Sequence, residues 1–207
     1  MTIRKGEDWG TLRAPPPDII VVGSDAELRS LVLASRLGGV ALPVIGLTGG
    51  DMMRTLGGRG DRSRFDGDEP IPHLPIDIVT VTADDERESV FVAHLVARRS
   101  WWRGQITAAM NAQYVGVSDV APRGHPNDGR IDLITVSDEM NVQQRWMARS
   151  RLQLGTHVPH PSIAVRQHAT VTVDLPRSTP VQLDGERWGH AQRLLLTVQP
   201  DALTVCV

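Results

Sequence analysis

The sequence predicts an α/β layer followed by a β-rich module, a sandwich or a barrel. Three observations predict it. From Asp18 the pattern runs strand, glycine turn, helix, strand, the signature of a small α/β unit. After Thr82, short apolar runs separated by turn residues outnumber helical patterns. Over 207 residues the hydrophobic content is 41% and the charged content 22%, which describes an ordinary globular chain long enough for one sizeable domain or two small ones.

Each element follows in order. Residues 1–17 end in "APPP" and read as a flexible or extended lead-in. "DIIVV" (residues 18–22) is a short buried strand, and Gly23 turns the chain. "AELRSLVLASRL" places Leu28, Leu31, Val32 and Ser35 on one helical face, and Gly38 with Gly39 closes that helix. "VALPVIGL" is a second apolar strand, and "TGGDMMRTLGG" a glycine turn with a short helix. Residues 58–75, rich in Gly, Arg, Asp and Pro, read as a loop. The expected division is a lead-in over 1–17, a shortened α/β domain over 18–82 and a β domain over 83–207. In the last, "IDIVTVT" (which straddles the boundary), "SVFVAHLVA", "QITAAMNAQYVG" and "RIDLITVS" are strand candidates. Residues 141–152 form one helix with Asn141 as its N-cap. "SIAVRQH" follows, and "ATVTVDL" alternates Val171, Val173 and Leu175 against polar neighbours, a half-buried strand. "VQLDGE", "RLLLTVQP" and "ALTVCV" complete the β part, and no internal repeat is present.

Bulk chemistry removes several classes. The formal net charge of -2 gives no global pull towards nucleic acid. Cys206 is the sole cysteine, so no intrachain disulfide forms. The opening "MTIRKGEDWG" lacks the apolar core of a signal peptide, and the most apolar stretch, residues 31–47, is interrupted by Arg36 and the Gly38-Gly39 pair and is too short to span a bilayer. A cytoplasmic location is therefore expected. Lys5 is the sole lysine, so arginine would have to hold any phosphate in the folded region.

A strand that meets a glycine turn and a helix N-terminus is a common place to hold a phosphate. Here that turn reads "GSDAE". Ser24 to Glu27 is an S-x-x-E capping box, in which Ser24 accepts from the Glu27 amide and Glu27 reaches back to the Ser24 amide. Asp25 and Glu27 also complement the helix dipole, by about 0.3–1 kcal/mol each at an exposed site. The local chemistry favours a self-capped helix over a phosphate cradle, although Asp25 could still touch a metal. Other residues have equally local readings. "LDGE" and "PNDGR" read as turns, Asp51 as a helix cap, and Asp77 as the polar start of a strand. His157, His160 and Cys206 do not make a metal set. Trp101 and Trp102 read first as packing at the domain junction, with a membrane-touching role as the alternative.

Three ordered stretches carry a resemblance. "TGGDMMRTLG" resembles the G-T-x-N-D-x-x-R-T-L-G motif of the diacylglycerol kinase and sphingosine kinase family of lipid kinases, whose bacterial members are YegS-like. "VAPRGHPNDGRIDL" resembles that family's A-P-x-x-x-x-D-D-G-x-x-D segment, and "VQLDGE" its late D-G-E motif. The resemblance runs over about residues 18–207 and is strongest in the C-terminal part. It implies a trimmed α/β nucleotide-binding-type layer packed on a C-terminal β-sandwich, the NAD kinase/diacylglycerol kinase-like fold. It implies transfer of the γ-phosphate of ATP to a lipid hydroxyl with magnesium as cofactor. A hydroxyl nucleophile needs a proton acceptor and the phosphates need a metal held by carboxylates. By position, Asp184 is the general base with Glu186 beside it. Gly23, Asp25, Thr48, Gly49 and Asp51 fall on nucleotide-binding positions, and Asp51, Asp77 and Asp128 on magnesium-network positions. Asp51, Asp77, Asp128 and Glu186 should then gather at the domain junction, with Arg54 a partner for Asp51 if no metal is bound. The implied partners are a lipid substrate or a membrane surface touched peripherally at its inner face, and a homo- or hetero-oligomer.

The sequence also departs from the family. It enters the resemblance after the family's opening strand–helix units. Ser24, Ala26 and Glu27 replace two glycines and the threonine of G-G-D-G-T. Leu47 and Gly50 replace the first glycine and the asparagine of G-T-x-N-D. The stretch between "VFVAHL" and "MNAQYVG", which helps enclose the lipid in the family, is compressed. Two functions are therefore expected as alternatives: an ATP-dependent lipid kinase, or a pseudokinase that binds or scaffolds after losing nucleotide. The isolated chain is expected to bind ATP weakly or not at all.

Overall fold

The computed structural model describes residues 9–207. In chain order the elements are β1 (Thr11–Arg13), β2 (Ile20–Val22), α1 (Asp25–Gly38), β3 (Ile45–Leu47), α2 (Gly50–Thr55), a 3-10 turn (Arg62–Phe65), β4 (Ile71–Ala83), β5 (Arg87–Phe91), β6 (His94–Arg98), β7 (Ile106–Met110), β8 (Tyr114–Val115), β9 (Ser118–Asp119), β10 (Ile131–Val136), α3 (Val142–Leu152), β11 (Ile163–His168), β12 (Thr170–Leu183) and β13 (Glu186–Cys206). Among the described residues, 11 strands share one sheet in the order β1-β4-β13-β12-β6-β7-β10-β11, with β5 on β4 and with β2 joined through β3 to β13. The short β8–β9 ribbon stands apart.

Two long strands organise the fold. β4 runs for 13 residues and β13 for 21, paired antiparallel along most of their length. At one end β13 pairs parallel with β3 (Val205 with Ile45) and β4 pairs with β1 (His73 with Thr11). At the other, β13 pairs with β12 and β4 with β5. The same two strands thus carry the α/β layer at one end and the sandwich at the other. The expected division at residue 82 falls near the end of β4, but the chain does not part there. Leu203, Val205 and Val207, from the far end of the sequence, pack with Val22, Leu28, Val32, Ile45 and Leu47 in the α/β core. A second cluster, built on Val79, Val81, Leu95, Leu183, Leu194 and Leu196, fills the sandwich.

Three sequence expectations change. Residues 1–8 of the lead-in lie outside the described residues, but Thr11–Arg13 form an edge strand on β4 rather than a free segment. Part of the expected loop over 58–75 belongs to β4: Ile71, His73, Leu74 and Ile76 are buried, and that burial outweighs the punctuation of Pro72 and Pro75. The runs "RLLLTVQP" and "ALTVCV" are one strand. The turn signal at Pro200-Asp201 becomes a bulge between Gln199 and Leu203, with Asp201 at φ 52. The helix over 141–152 keeps its expected cap, a capping box between Asn141 and Gln144. Among the described residues, no helix is long and apolar enough to cross a membrane.

Candidate functional site

The site grows from a hairpin turn. Leu183 pairs with Glu186, leaving Asp184 (φ 50) and Gly185 (φ 83) as a two-residue loop with both central residues left-handed, the geometry Asp-Gly prefers. Asp184 is buried, at 7% exposure, and its carboxylate points inward. It accepts from the amides of Val92 (3.1 Å), Ala93 (2.8 Å) and His94 (3.1 Å), while its own amide donates to the His94 carbonyl (2.9 Å). These amides lie where the chain breaks between β5 and β6, and the carboxylate satisfies them. Burial pushes the Asp184 carboxyl up to about 6, against the pull of the Ala93 amide and His94. Glu186 points to solvent instead. It pairs with Arg29 of α1, whose second Nη donates to the Leu183 carbonyl at 2.5 Å.

Next to this turn stands α2. The Asp51 carboxylate accepts from the Gly116 amide (2.8 Å) and lies 2.9 Å from the His94 imidazole Nε2. Burial lowers the His94 pKa, but the bond to Asp51 and the charges of Asp184, Asp51 and Asp25 outweigh it and leave the imidazole above its ordinary value. His94 was not singled out in the sequence. Its signal was a histidine inside an apolar strand run, and its partner lies 43 residues away. Arg54 does not partner Asp51. It donates to the Gly116 carbonyl and lies over the Tyr114 ring at 5.4 Å.

The phosphate-type loops face one another and are already filled. Ser24 caps α1, accepting from the Glu27 amide at 3.2 Å as expected, but Glu27 reaches back to the Gly23 amide (2.7 Å) rather than to Ser24. Asp25 takes the other helix: its two oxygens accept from the amides of Asp51 (2.6 Å) and Met52 (3.1 Å), the exposed end of α2. Burial raises the Asp25 carboxyl, partly offset by those two amides. Thr48 is held by the Val22 carbonyl through both amide (2.9 Å) and hydroxyl (3.0 Å). Only glycine fits this meeting of loops. A Cβ on Gly49 would lie 2.1 Å from the Gly23 carbonyl oxygen, and one on Gly50 (φ +95) 2.4 Å from Asp25.

Asp77 and Asp128 form a separate group. Asp77, fully buried, accepts from the amides of Gly129 (2.8 Å) and Asp201 (3.0 Å), and burial raises its carboxyl. Asp128 caps its own turn through the Arg130 amide (2.9 Å); burial, with Asp132 and Asp77 nearby, pushes it up to about 6. The structure therefore brings Asp25, Asp51 and Asp184 together around His94, places Asp77 with Asp128, and leaves Glu186 apart, paired with Arg29 of α1. The Asn111 amide ties the groups only through backbone, donating to the carbonyls of Asp77 (2.9 Å) and Val92 (2.8 Å). Among the described residues, no group of three or more metal-ligating side chains is placed to hold an ion. Both oxygens of Asp51 and of Asp77 already accept hydrogen bonds, so as placed Asp51, Asp77 and Asp128 do not fit a magnesium held by side chains alone.

Beside Gly116 opens an apolar cavity of about 420 Å³ between α3, the face of β6, β7 and β10, and the β8–β9 ribbon. Trp101 and Trp102 stand at this cavity, each 40% exposed, rather than packing at the domain junction. Arg145 of α3, buried at 4% exposure, holds the segment in place through the carbonyls of Trp101 (3.3 Å), Gly104 (2.6 Å), Ser137 (2.8 Å) and Met140 (2.8 Å).

This β-sandwich, continuous with a small α/β layer whose acidic turns meet at the joint, defines a class that the comparisons confirm. Residues 78–207 match the family model described as the YegS C-terminal NAD kinase beta sandwich-like domain, and the chain belongs to that family. Its fold matches a crystal structure of a candidate diacylglycerol kinase from Bacillus anthracis str. Sterne, with a TM-score of 0.66 and 12% identity over 91% of this chain and 77% of that one. A second crystal structure, of a diacylglycerol kinase from the same organism, matches with a TM-score of 0.53 and 13% identity over 79% and 66% of the two chains. At these identities the likeness is one of fold. No curated protein matches the chain in sequence.

Proposed function

We propose that this chain is a lipid-binding member of its family that works without ATP, its phosphate-facing amides closed by its own carboxylates. The observation that carries this is the Asp25 carboxylate seated on the α2 amides of Asp51 and Met52. A nucleotide phosphate would have to displace it, leave a buried carboxylate unpaired, and meet the charge of Asp51 and Glu27. A buried polar group left without a partner costs about 1–3 kcal/mol, more for a charged one. The Gly23 and Glu27 amides are likewise taken. A lipid would find an apolar cavity, and α3, which forms one wall of it, exposes Val142 (49%), Trp146 (62%) and Met147 (40%). That exposed face, with Arg149 and Arg151 beside it, suits peripheral contact with a membrane surface.

The second reading, an ATP-dependent lipid kinase, is favoured by one arrangement. Asp184, with its pKa near 6, sits beside the His94–Asp51 pair, whose imidazole pKa is raised, and is a fitting acceptor for a hydroxyl proton. Against it, three amides cover that carboxylate. ATP and magnesium belong to this reading alone. Titration of the chain with ATP and magnesium by calorimetry separates the two. The expected result is no binding below millimolar ATP; micromolar binding, or transfer of labelled phosphate to an extracted lipid, overturns the ATP-free reading.

A further inference from the structure

The cavity has apolar walls, including Val96, Ala108, Ile134, Met140 and Ile163, and a basic mouth. Trp101 and Arg149 line the cavity, and Arg98 stands behind Trp101: the Arg98 guanidinium lies 3.8 Å, and the Arg149 guanidinium 6.0 Å, from the centroid of the Trp101 ring. Neither forms an ion pair among the described residues. Arg98 also has a buried Nε with no hydrogen-bond acceptor. Burial and the like charge of Arg149 both press the Arg98 guanidinium towards its neutral form, and no carboxylate opposes them. Arg145, one turn from Arg149, shows the contrast, because four backbone carbonyls take its donors. Two close cations with open donors, stacked on an aromatic ring at the lip of an apolar cavity, lack an anion.

We infer that the cavity takes a single-chain amphiphile with an anionic head, a phosphate or a carboxylate, held by Arg98 and Arg149 beside Trp101 while its chain lies on the apolar walls. This rests on the lipid-binding reading and names the headgroup that reading leaves open. The volume of about 420 Å³ lies near the low end of the roughly 300–1,000 Å³ typical of small-molecule sites, which suits one chain rather than two. Guanidinium donors bind planar carboxylates and phosphates in pairs, and such charge-assisted bonds are about twice as strong as neutral ones.

The test is calorimetry on the whole chain with dodecyl phosphate, laurate and dodecanol, each below its micellar concentration. The expected result is that at least one anion binds about tenfold or more tightly than dodecanol, with the preference shrinking as salt rises. A phosphate that outbinds laurate assigns a phosphoryl head, and the reverse assigns a carboxylate. Arg149→Gln should bring the preference below about threefold without weakening dodecanol, and Arg149→Lys should restore part of it. Retained dodecanol affinity shows that the Gln variant is folded. Equal affinity for all three amphiphiles overturns the headgroup assignment and leaves the lipid-binding reading standing. Binding of none overturns both. A preference that survives Arg149→Gln and Arg98→Gln together also overturns the assignment.

Discussion

The His94 imidazole Nε2 stands 2.9 Å from Asp51 Oδ2, joining the first residue of β6 in the sandwich to the first turn of α2 in the α/β layer. Both groups are shielded, with side-chain exposures of 5% and 17%. When the imidazole is protonated the contact is an ion pair at the seam, so it ties the layers by an interaction that depends on a proton.

That proton sets a pH dependence. His94 has a raised pKa in the folded state, through its bond to Asp51 and the surrounding carboxylates acting against burial. Its contribution is therefore fully present below the unfolded histidine value, about 6.5, and is lost as pH rises through the folded value. The melting temperature should fall as pH rises above about 6.5. His94→Gln, which keeps a donor but cannot titrate, should flatten that slope. Parallel wild-type and variant profiles in this window would show that the pair does not couple to folding.

Asp184 makes a second, separable prediction. Its pKa is raised from 3.8 to about 6, so its contribution is present below the unfolded value and lost as pH rises through about 6. Asp128 titrates in the same window, so Asp184→Asn should shrink that dependence without abolishing it. At pH 7 the Asn variant keeps an acceptor for the amides and should lie within about 1 kcal/mol of wild type. Asp184→Ala leaves the Ala93 and His94 amides without an acceptor and puts alanine at φ 50. Its expected loss is roughly 2–5 kcal/mol in urea denaturation. Equal losses for Asn and Ala would mean that the amide contacts contribute nothing.

What the sequence made legible was local. Ser24 with Glu27, Asn141 with Gln144, and the Asp-Gly turn at 184 and 185 are short-range patterns whose partners lie within a few residues, and each forms its element. What it hid was remote. Asp25 reads as a first-turn charge on α1, yet its acceptors serve α2, 26 residues on. Asp51 with Arg54 is a sensible helical pair, but a buried histidine 43 residues away offers a better-shielded partner. Pro200 and Asp201 signal a turn, and the ladder between β4 and β13 carries the strand through it as a bulge. No one-dimensional pattern encodes that the last residues of the chain complete the α/β layer.

Arg145 yields a prediction about the cavity. It looks like one more surface arginine on a helix rich in them, yet it donates to four carbonyls from two segments. A lysine cannot reach four acceptors from one nitrogen, so Arg145→Lys should fail nearly as badly as Arg145→Ala. Each should cost about 2–4 kcal/mol in urea denaturation. Both should speed tryptic cleavage at Arg99 and Arg103, because the segment holding Trp101 and Gly104 loses its anchor. Unchanged cleavage would show that other contacts hold that segment.

The contact between Gly50 and Asp25 gives the last prediction. Gly50 sits at φ +95, and a Cβ there would lie 2.4 Å from Asp25 Oδ1, so Gly50→Ala must both strain the backbone and push the carboxylate off the α2 amides. The expected loss is about 2–4 kcal/mol. Asp25→Ala removes the acceptor and should cost about 1–3 kcal/mol. The double variant distinguishes the two components of the Gly50 effect. With the carboxylate gone its clash is gone, and only backbone strain and a 2.9 Å approach to the Asp25 backbone nitrogen are added, so the double variant should lose about 1 kcal/mol or more less than the sum of the single losses. Additive losses would mean that strain alone explains the glycine. Asp25→Ala also frees the amides of Asp51 and Met52. If their closure is what excludes nucleotide, this variant should bind ATP measurably more tightly than wild type, while Asp25→Asn, which keeps an acceptor there, should not.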